Sequence, residues 1–298
     1  MAPSGYYRQA HSPIIKRLAN HFQFIPKITT QISNKTEKLP ILIGNQNLVM
    51  SIPLTMRQKT YLRLGIFGIA MGFLEAIVVI YLRQLYFPDG FHFPLPPMPA
   101  RILNIEWLRE ISTIVMLAVV GIVAGRNFLQ RLTWFLYTFA VWDIFFYVAL
   151  KLLIGWPPSL FTWDLLFLIP LAWDGPVLAP IISSLTMIVM TEIITGLQEK
   201  GYLYRIIFRE WFLIISGAFV IFCTFIWDYF SLIVRHGYLS KFWSLSSNAD
   251  FQQIVSNYVP SHYHWFLFSF GELLIILALV LIVRRSKANY EDNLLASE

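Results

Sequence analysis

The sequence predicts an all-α protein, a polytopic membrane bundle of six transmembrane helices with one additional re-entrant or interfacial half-helix. Composition is the first observation behind this prediction. The chain has 298 residues, of which 57% are hydrophobic and 13% charged, whereas an ordinary soluble domain has about 25% charged residues. The second observation is the length of the apolar segments, because a helix needs about 20 mainly apolar residues to cross a bilayer.

Six segments of the chain meet this length requirement. They lie at roughly residues 61–83, 105–125, 132–154, 175–197, 209–232 and 262–283. The stretch 159–173 is also apolar but too short to cross alone, and Pro170, Gly175 and Pro176 interrupt helical structure there. We therefore predict a half-helix that leads into the fourth span.

Lysine and arginine residues predict the orientation of the bundle, because cytoplasmic loops carry an excess of them. They concentrate before the first span, in the loops after the second and fourth spans, and after the sixth span. Both termini are therefore expected in the cytoplasm, and loops at about 84–104, 155–174 and 233–261 are expected to face outward. The localisation we expect is the bacterial inner (plasma) membrane.

Composition divides the chain into three regions. Residues 1–60 are polar and basic with a single acidic residue, Glu37, which predicts a cytoplasmic tail that is largely disordered. Residues 61–285 form the predicted transmembrane domain, and residues 286–298 a short cytoplasmic tail. The net charge of +6 does not indicate nucleic-acid binding, since the basic residues flank apolar segments instead of forming a soluble domain.

Ionisable residues recur within the predicted spans, where they are energetically expensive and normally face the bundle interior. The candidate substrate-binding residues are Glu75, Glu106, Arg109, Glu110, Asp143, Lys151, Asp228 and Glu272. Their helical spacing forms polar stripes, which predict a carboxylate-rich pocket that opens outward beneath the 155–174 segment. The alternative is a set of interhelical ion pairs that fix helix register, such as Glu75 with Arg109 and Asp143 with Lys151.

Four Trp-Asp dipeptides contain four of the seven aspartates in the chain. Adjacent helical side chains point about 100° apart, so the Asp turns inward where its Trp neighbour faces lipid or the interface. Asp164 and Asp174 lie near a predicted helix start, which favours roles as caps and loop anchors. Asp143 and Asp228 lie deeper in the third and fifth spans and are the stronger pocket candidates.

Two small-xxx-small patterns permit close helix contact. They run from Gly68 to Gly72 in the first span and from Gly121 to Gly125 in the second. We predict that they pack the first two spans against each other, with dimerisation as the alternative.

No cofactor is predicted. The sequence lacks P-loop, zincin and serine-hydrolase motifs, and the single Cys223 excludes a cysteine-based metal cluster. His92, His262 and His264 lie near the expected outer mouth and are weak candidates for a copper or zinc site. The alternative is that these histidines are interfacial residues with polar tips.

These features leave three functional classes open. The first is a transporter-like or channel-like protein whose pocket binds a small solute or cation, which the carboxylate excess and the broken segment before the fourth span favour. The second is an accessory subunit of a larger membrane complex, with the aromatic-rich loop 87–99 as a contact surface for protein partners. The third is an intramembrane enzyme acting on a lipid or quinone. The lipid bilayer is the expected environment in all three, and a non-enzymatic function is favoured over an enzymatic one.

Overall fold

The computed structural model describes residues 54–88, 90–96, 98–203 and 205–295. Its long helices are α1 (Met56–Tyr86), α2 (Ala100–Ala124), α3 (Phe128–Ile154), α4 (Leu178–Glu199), α5 (Phe208–Arg235) and α7 (Trp265–Leu295). The shorter elements are the strands β1 (Trp163–Phe167) and β2 (Trp173–Pro176), the 3-10 helix η1 (Leu239–Ser247) and the helix α6 (Ala249–Val255).

The six long helices are each long and apolar enough to cross a membrane, so the predicted six-helix membrane bundle is confirmed. Each predicted span corresponds to one of these helices. Large apolar side chains cover the outside of the bundle, for example Val123, Phe208 and Phe266, with 81%, 85% and 85% of their surfaces exposed. In a bilayer such side chains contact lipid.

Local sequence sets the ends of several helices. Thr55 begins α1 with a capping box, in which its hydroxyl accepts the Gln58 backbone N–H and its own N–H donates to the Gln58 side chain. The Asn127 side chain caps α3 by accepting the Gln130 N–H at 2.9 Å. Gly155 ends α3 with a φ of +73°, a left-handed conformation that glycine adopts without strain.

The segment between α3 and α4 differs from the half-helix predicted over 159–173. It forms an antiparallel hairpin of β1 and β2, in which Asp164 lies opposite Gly175. Pro170 and Pro176 lack the N–H group that a continuing helix needs. An isolated hairpin is marginally stable at best, and packing of β2 against α4 and α5 supports this one.

The glycine motifs of α1 and α2 both pack against α3. A Cβ at Gly72 would lie 2.7 Å from the Trp142 carbonyl oxygen, and a Cβ at Gly121 would lie 2.8 Å from the Arg131 carbonyl oxygen. The prediction that these glycines pack the first two spans together is wrong, because a small-xxx-small motif marks a face for close contact without specifying the partner helix.

The long helices form two groups. In the first, α3 packs against α1, α2 and α4, and in the second, α5 packs closely against α7. A Cβ at Gly217 of α5 would lie 2.6 Å from the Gly271 carbonyl oxygen of α7, so glycine is required at this crossing. α4 also contacts α7, and η1 contacts both α2 and α5. The hairpin, η1 and α6 lie at one end of the bundle, which we call the hairpin end.

Ion pairs join the helices at the opposite end. Arg57 pairs with Glu192 at 2.7 Å and with Glu199 at 2.8 Å, which ties the start of α1 to α4. Arg285 of α7 pairs with the fully buried Glu210 of α5 at 2.7 Å. Which end of the bundle faces the cytoplasm stays a prediction from the basic residues.

The structure describes only the end of the predicted N-terminal tail but most of the predicted C-terminal tail. Residues 1–53 of the N-terminal tail lie outside the described residues, and the tail's last residues belong to α1. α7 continues as a helix to Leu295, so most of the predicted tail 286–298 is helical.

Candidate functional site

A cavity of about 1000 Å³ lies inside the bundle. Its walls come from α1, the loop after it, the first half of α2, α3, the hairpin, α4 and α5, with further residues from η1, α6 and α7. Most lining side chains are apolar or aromatic, including Phe139, Trp142, Phe167 and Phe222. Seven carboxylates and two guanidinium groups share this space: Glu75, Glu106, Glu110, Asp143, Asp164, Asp174 and Glu272, with Arg83 and Arg109.

Arg109 is the centre of an acidic cluster where α1 and α2 border the cavity. Its guanidinium pairs with Glu75 of α1 and donates from Nε to Glu106 at 2.7 Å. Glu110 lies 3.9 Å from the same guanidinium and accepts the Leu168 N–H with both carboxylate oxygens, at 3.1 and 2.9 Å. The proposed Glu75–Arg109 pair is therefore present, and Glu110 ties α2 to the hairpin turn.

Arg83 of α1 anchors the hairpin at a second point. Its Nη2 donates to Asp164 Oδ1 at 2.8 Å, and the Tyr147 hydroxyl donates to Asp164 Oδ2 at 3.3 Å. The guanidinium lies over the rings of Phe91 and Trp156, at 4.2 and 3.8 Å from their centroids. Burial raises the pKa of the Asp164 carboxyl to about 6, although the charge of Arg83 acts in the opposite direction.

Hydroxyl groups of α4 hold two further carboxylates. Ser184 donates to Asp143 Oδ2 at 2.8 Å. Ser183 and Thr186 donate to the two oxygens of Glu272, at 3.0 and 2.7 Å. Within the described residues neither acid has a lysine or arginine partner, so these two carboxyl groups are held by neutral hydroxyl groups alone.

Asp174 lines the cavity from β2 and does not cap α4, whose flanking residue Val177 makes no side-chain cap. The predicted cap at Asp174 is therefore wrong, while Asp164 does anchor the loop, from a buried position. Asp174 is 6% exposed, and its Oδ1 has no hydrogen-bond partner among the described residues. Burial, together with the negative charge of Asp228, raises the pKa of the Asp174 carboxyl to about 8.

Six of the eight predicted binding residues line this cavity, namely Glu75, Glu106, Arg109, Glu110, Asp143 and Glu272. Lys151 does not line it, since its ammonium donates to the carbonyl oxygens of Gly155 and Pro157 beyond the end of α3. The alternative pairing of Asp143 with Lys151 is therefore wrong. Asp228 lies in a second pocket. A binding role for these residues stays a prediction.

The second pocket has a volume of about 240 Å³ and is formed around Asp228, Tyr258, His262 and His264. Tyr258 also lines the large cavity, so its side chain borders both spaces. His92 is not part of this pocket. In the part of the chain that the structure describes, no group of three His, Cys, Asp or Glu is positioned to hold a metal ion, so the three weak metal candidates do not come together there.

Sequence reasoning missed Arg83, Asp164 and Asp174 as cavity residues. Arg83 follows Glu75 by eight residues and therefore lies on nearly the same face of α1, a signal that points toward the cavity. The two aspartates reach the cavity because their segment forms a hairpin. Its apolar, proline-containing sequence lacks the alternation of polar and apolar residues that identifies a half-buried strand.

No protein family model, curated protein or solved structure matches the chain. A functional proposal therefore rests on the residues of the cavity.

Proposed function

We propose that the protein is transporter-like and binds an amphipathic organic solute inside the membrane, in the cavity of about 1000 Å³. The observation that carries this proposal is the combination of that size with apolar walls and seven carboxylates against two arginines. Binding sites for organic ligands typically measure about 300–1,000 Å³ and are mostly apolar, with a few well-placed polar groups. The cavity is at the upper end of this range, which suits a solute with a lipid-like tail.

The charge balance favours a cationic or hydroxyl-bearing head group over an anion. Both arginines of the cavity are already paired with carboxylates, Arg83 with Asp164 and Arg109 with Glu75 and Glu106. Their positive charge is therefore largely neutralised. An anionic solute would approach acids whose charge no arginine offsets, and like charges in a low-dielectric site repel strongly.

The position of the cavity favours access from the lipid. α2 and α5 both contribute to its lining, and η1 contacts both helices at the hairpin end. Trp107 and Ile111 of α2 line the cavity while 39% and 48% of their surfaces stay exposed. Both side chains are apolar and lie on a membrane-spanning helix, so this part of the cavity wall is where we propose that an amphipathic solute enters from the bilayer.

A cavity-filling variant tests this proposal. The protein is reconstituted into nanodiscs and incubated with three labelled amphiphiles that share a dodecyl chain: dodecyltrimethylammonium, dodecyldimethylamine oxide and dodecyl sulfate. Ala218 of α5 lines the cavity, so Ala218→Trp fills part of it. The adjacent Phe219 is 63% exposed on the outer surface, which makes Phe219→Trp the matched control.

We expect saturable binding of at least one amphiphile, weakened about tenfold or more by A218W and unchanged in F219W. Binding no greater than that of empty nanodiscs for all three, or equal binding by the two tryptophan variants, contradicts the proposal. Flux of the bound amphiphile into proteoliposomes tests the transport step. Recovery of a chemically altered amphiphile would instead support an enzyme that acts on lipids.

A further inference from the structure

Among the described residues, Asp174 is the cavity carboxylate with a buried oxygen that lacks a hydrogen-bond partner. The residue is 6% exposed and lies in β2 at the hairpin end. Buried polar groups in folded proteins are nearly always hydrogen-bonded. An unpartnered acceptor on a residue of the cavity wall is therefore a candidate for pairing with a ligand group.

The other six carboxylates of the cavity have partners within the protein. The four that lie against arginines are Glu75, Glu106, Glu110 and Asp164. The two that accept hydrogen bonds from hydroxyl groups of α4 are Asp143 and Glu272. Asp174 thus keeps the largest unused capacity for a ligand, and the described residues form no ion pair with it.

The surroundings of Asp174 are negatively charged and aromatic. Asp228 of α5 adds a second negative charge within electrostatic range of its carboxyl. The phenol hydroxyl groups of Tyr258 and Tyr263 also lie within electrostatic range, and Tyr258 lines the same cavity. Aromatic rings attract organic ammonium groups through their electron-rich faces. Calcium and magnesium ions differ, since they take about six or more oxygen ligands.

We propose that Asp174 is the subsite for a cationic head group, an amine or quaternary ammonium, of the amphipathic solute. This inference rests on the proposed function, because it specifies the head group of a solute bound in the same cavity. The carboxylate and the ring of Tyr258, which lines the same cavity, hold the cation at the hairpin end. The apolar tail then extends along the wall formed by α3 and α4, past residues such as Leu136 and Met187.

The test compares Asp174→Asn with Asp250→Asn in nanodiscs at a pH of about 9, where the Asp174 carboxyl is mostly ionised. Asp250 is exposed on α6, so it controls for the loss of one negative charge near the hairpin end. We expect D174N to weaken dodecyltrimethylammonium binding about tenfold or more. Binding of the uncharged dodecyldimethylamine oxide should change less than about twofold, and D250N should change neither.

Two outcomes with the variants overturn the inference. One is an unchanged affinity of D174N for the cation, and the other is an equal loss of both amphiphiles, which would reveal a structural effect. The wild-type protein supplies a second measurement that does not depend on a variant. There dodecyltrimethylammonium must bind more tightly than the amine oxide and dodecyl sulfate. If the amine oxide binds as tightly, this inference fails and the proposed function stands; if no amphiphile binds, both fail.

Discussion

Replacement of Gly72 by alanine is predicted to force α1 away from α3. A Cβ at this position would lie 2.7 Å from the Trp142 carbonyl oxygen and 2.8 Å from the Phe146 nitrogen, both backbone atoms of α3. Ordinary van der Waals contact begins at 3.4 Å, so the two backbones must separate by about 0.7 Å. Backbone atoms cannot rotate away as a side chain can. The cost therefore falls in the range of overpacked cores, about 1–3 kcal/mol.

Gly65→Ala is the matched control, because it makes the same chemical change on the same helix. There the new Cβ meets the end of the Tyr137 side chain, at 3.0 Å from its hydroxyl oxygen, and a side-chain end can shift at little cost. Both variants share the change in helix propensity from glycine to alanine, which cancels in the comparison. We expect G72A to be less stable than G65A by about 2 kcal/mol.

Thermal unfolding of the two purified variants in the same detergent, followed by tryptophan fluorescence, measures this difference. At about 2–4 °C per kcal/mol for a chain of roughly this size, it corresponds to about 4–8 °C in Tm. Equal Tm values for G65A and G72A would refute the close contact between α1 and α3. So would a Gly72→Leu variant that unfolds at the same temperature as G65A.

Charged groups lead to three further predictions. Burial raises the pKa of Asp174 to about 8, so affinity for dodecyltrimethylammonium should rise about tenfold per pH unit below about pH 8 and level off above it. D174N should abolish this pH dependence. A flat pH profile of the wild type would contradict a role of Asp174 in binding the cation. Arg109→Gln leaves three acids without their shared positive charge and should cost about 3 kcal/mol in unfolding experiments; addition of Glu75→Gln should recover part of the loss, and no recovery counts against the pair. Glu210→Gln removes the fully buried partner of Arg285 and should cost about 3 kcal/mol as well; a Tm within about 2 °C of the wild type would contradict this.

The six spans could be predicted from sequence because the bilayer imposes a length and a composition on every helix that crosses it. Such a requirement acts on each segment separately, so a span can be predicted without knowledge of its neighbours. Contacts between helices depend on the positions of the other helices and cannot be predicted segment by segment. Gly72 indicates a close approach on one face of α1, but α3 becomes its partner only through the arrangement of the whole bundle.

The same distinction applies to the charged residues. Glu75 and Arg109 could be matched from sequence because both lie on spans where an unpaired charge is expensive. Lys151 also lies on a span, yet its flexible side chain reaches the carbonyl oxygens past the end of α3. The charged group of a long side chain near a helix end can extend past that end. The sequence position of such a residue therefore predicts the membrane depth of its charge poorly.

The hairpin explains why the carboxylate excess of the sequence overstates the number of acids available to a ligand. In the hairpin, Asp164 lies opposite Gly175 and Asp174 lies opposite Leu165, and both aspartates line the cavity. Asp164 is held there by Arg83, whereas Oδ1 of Asp174 has no partner among the described residues. Glu110 is also engaged by the hairpin, through its backbone at Leu168. Asp164 and Glu110 therefore position the hairpin, which leaves Asp174, on the second strand of the same hairpin, as the acid that we propose binds the ligand.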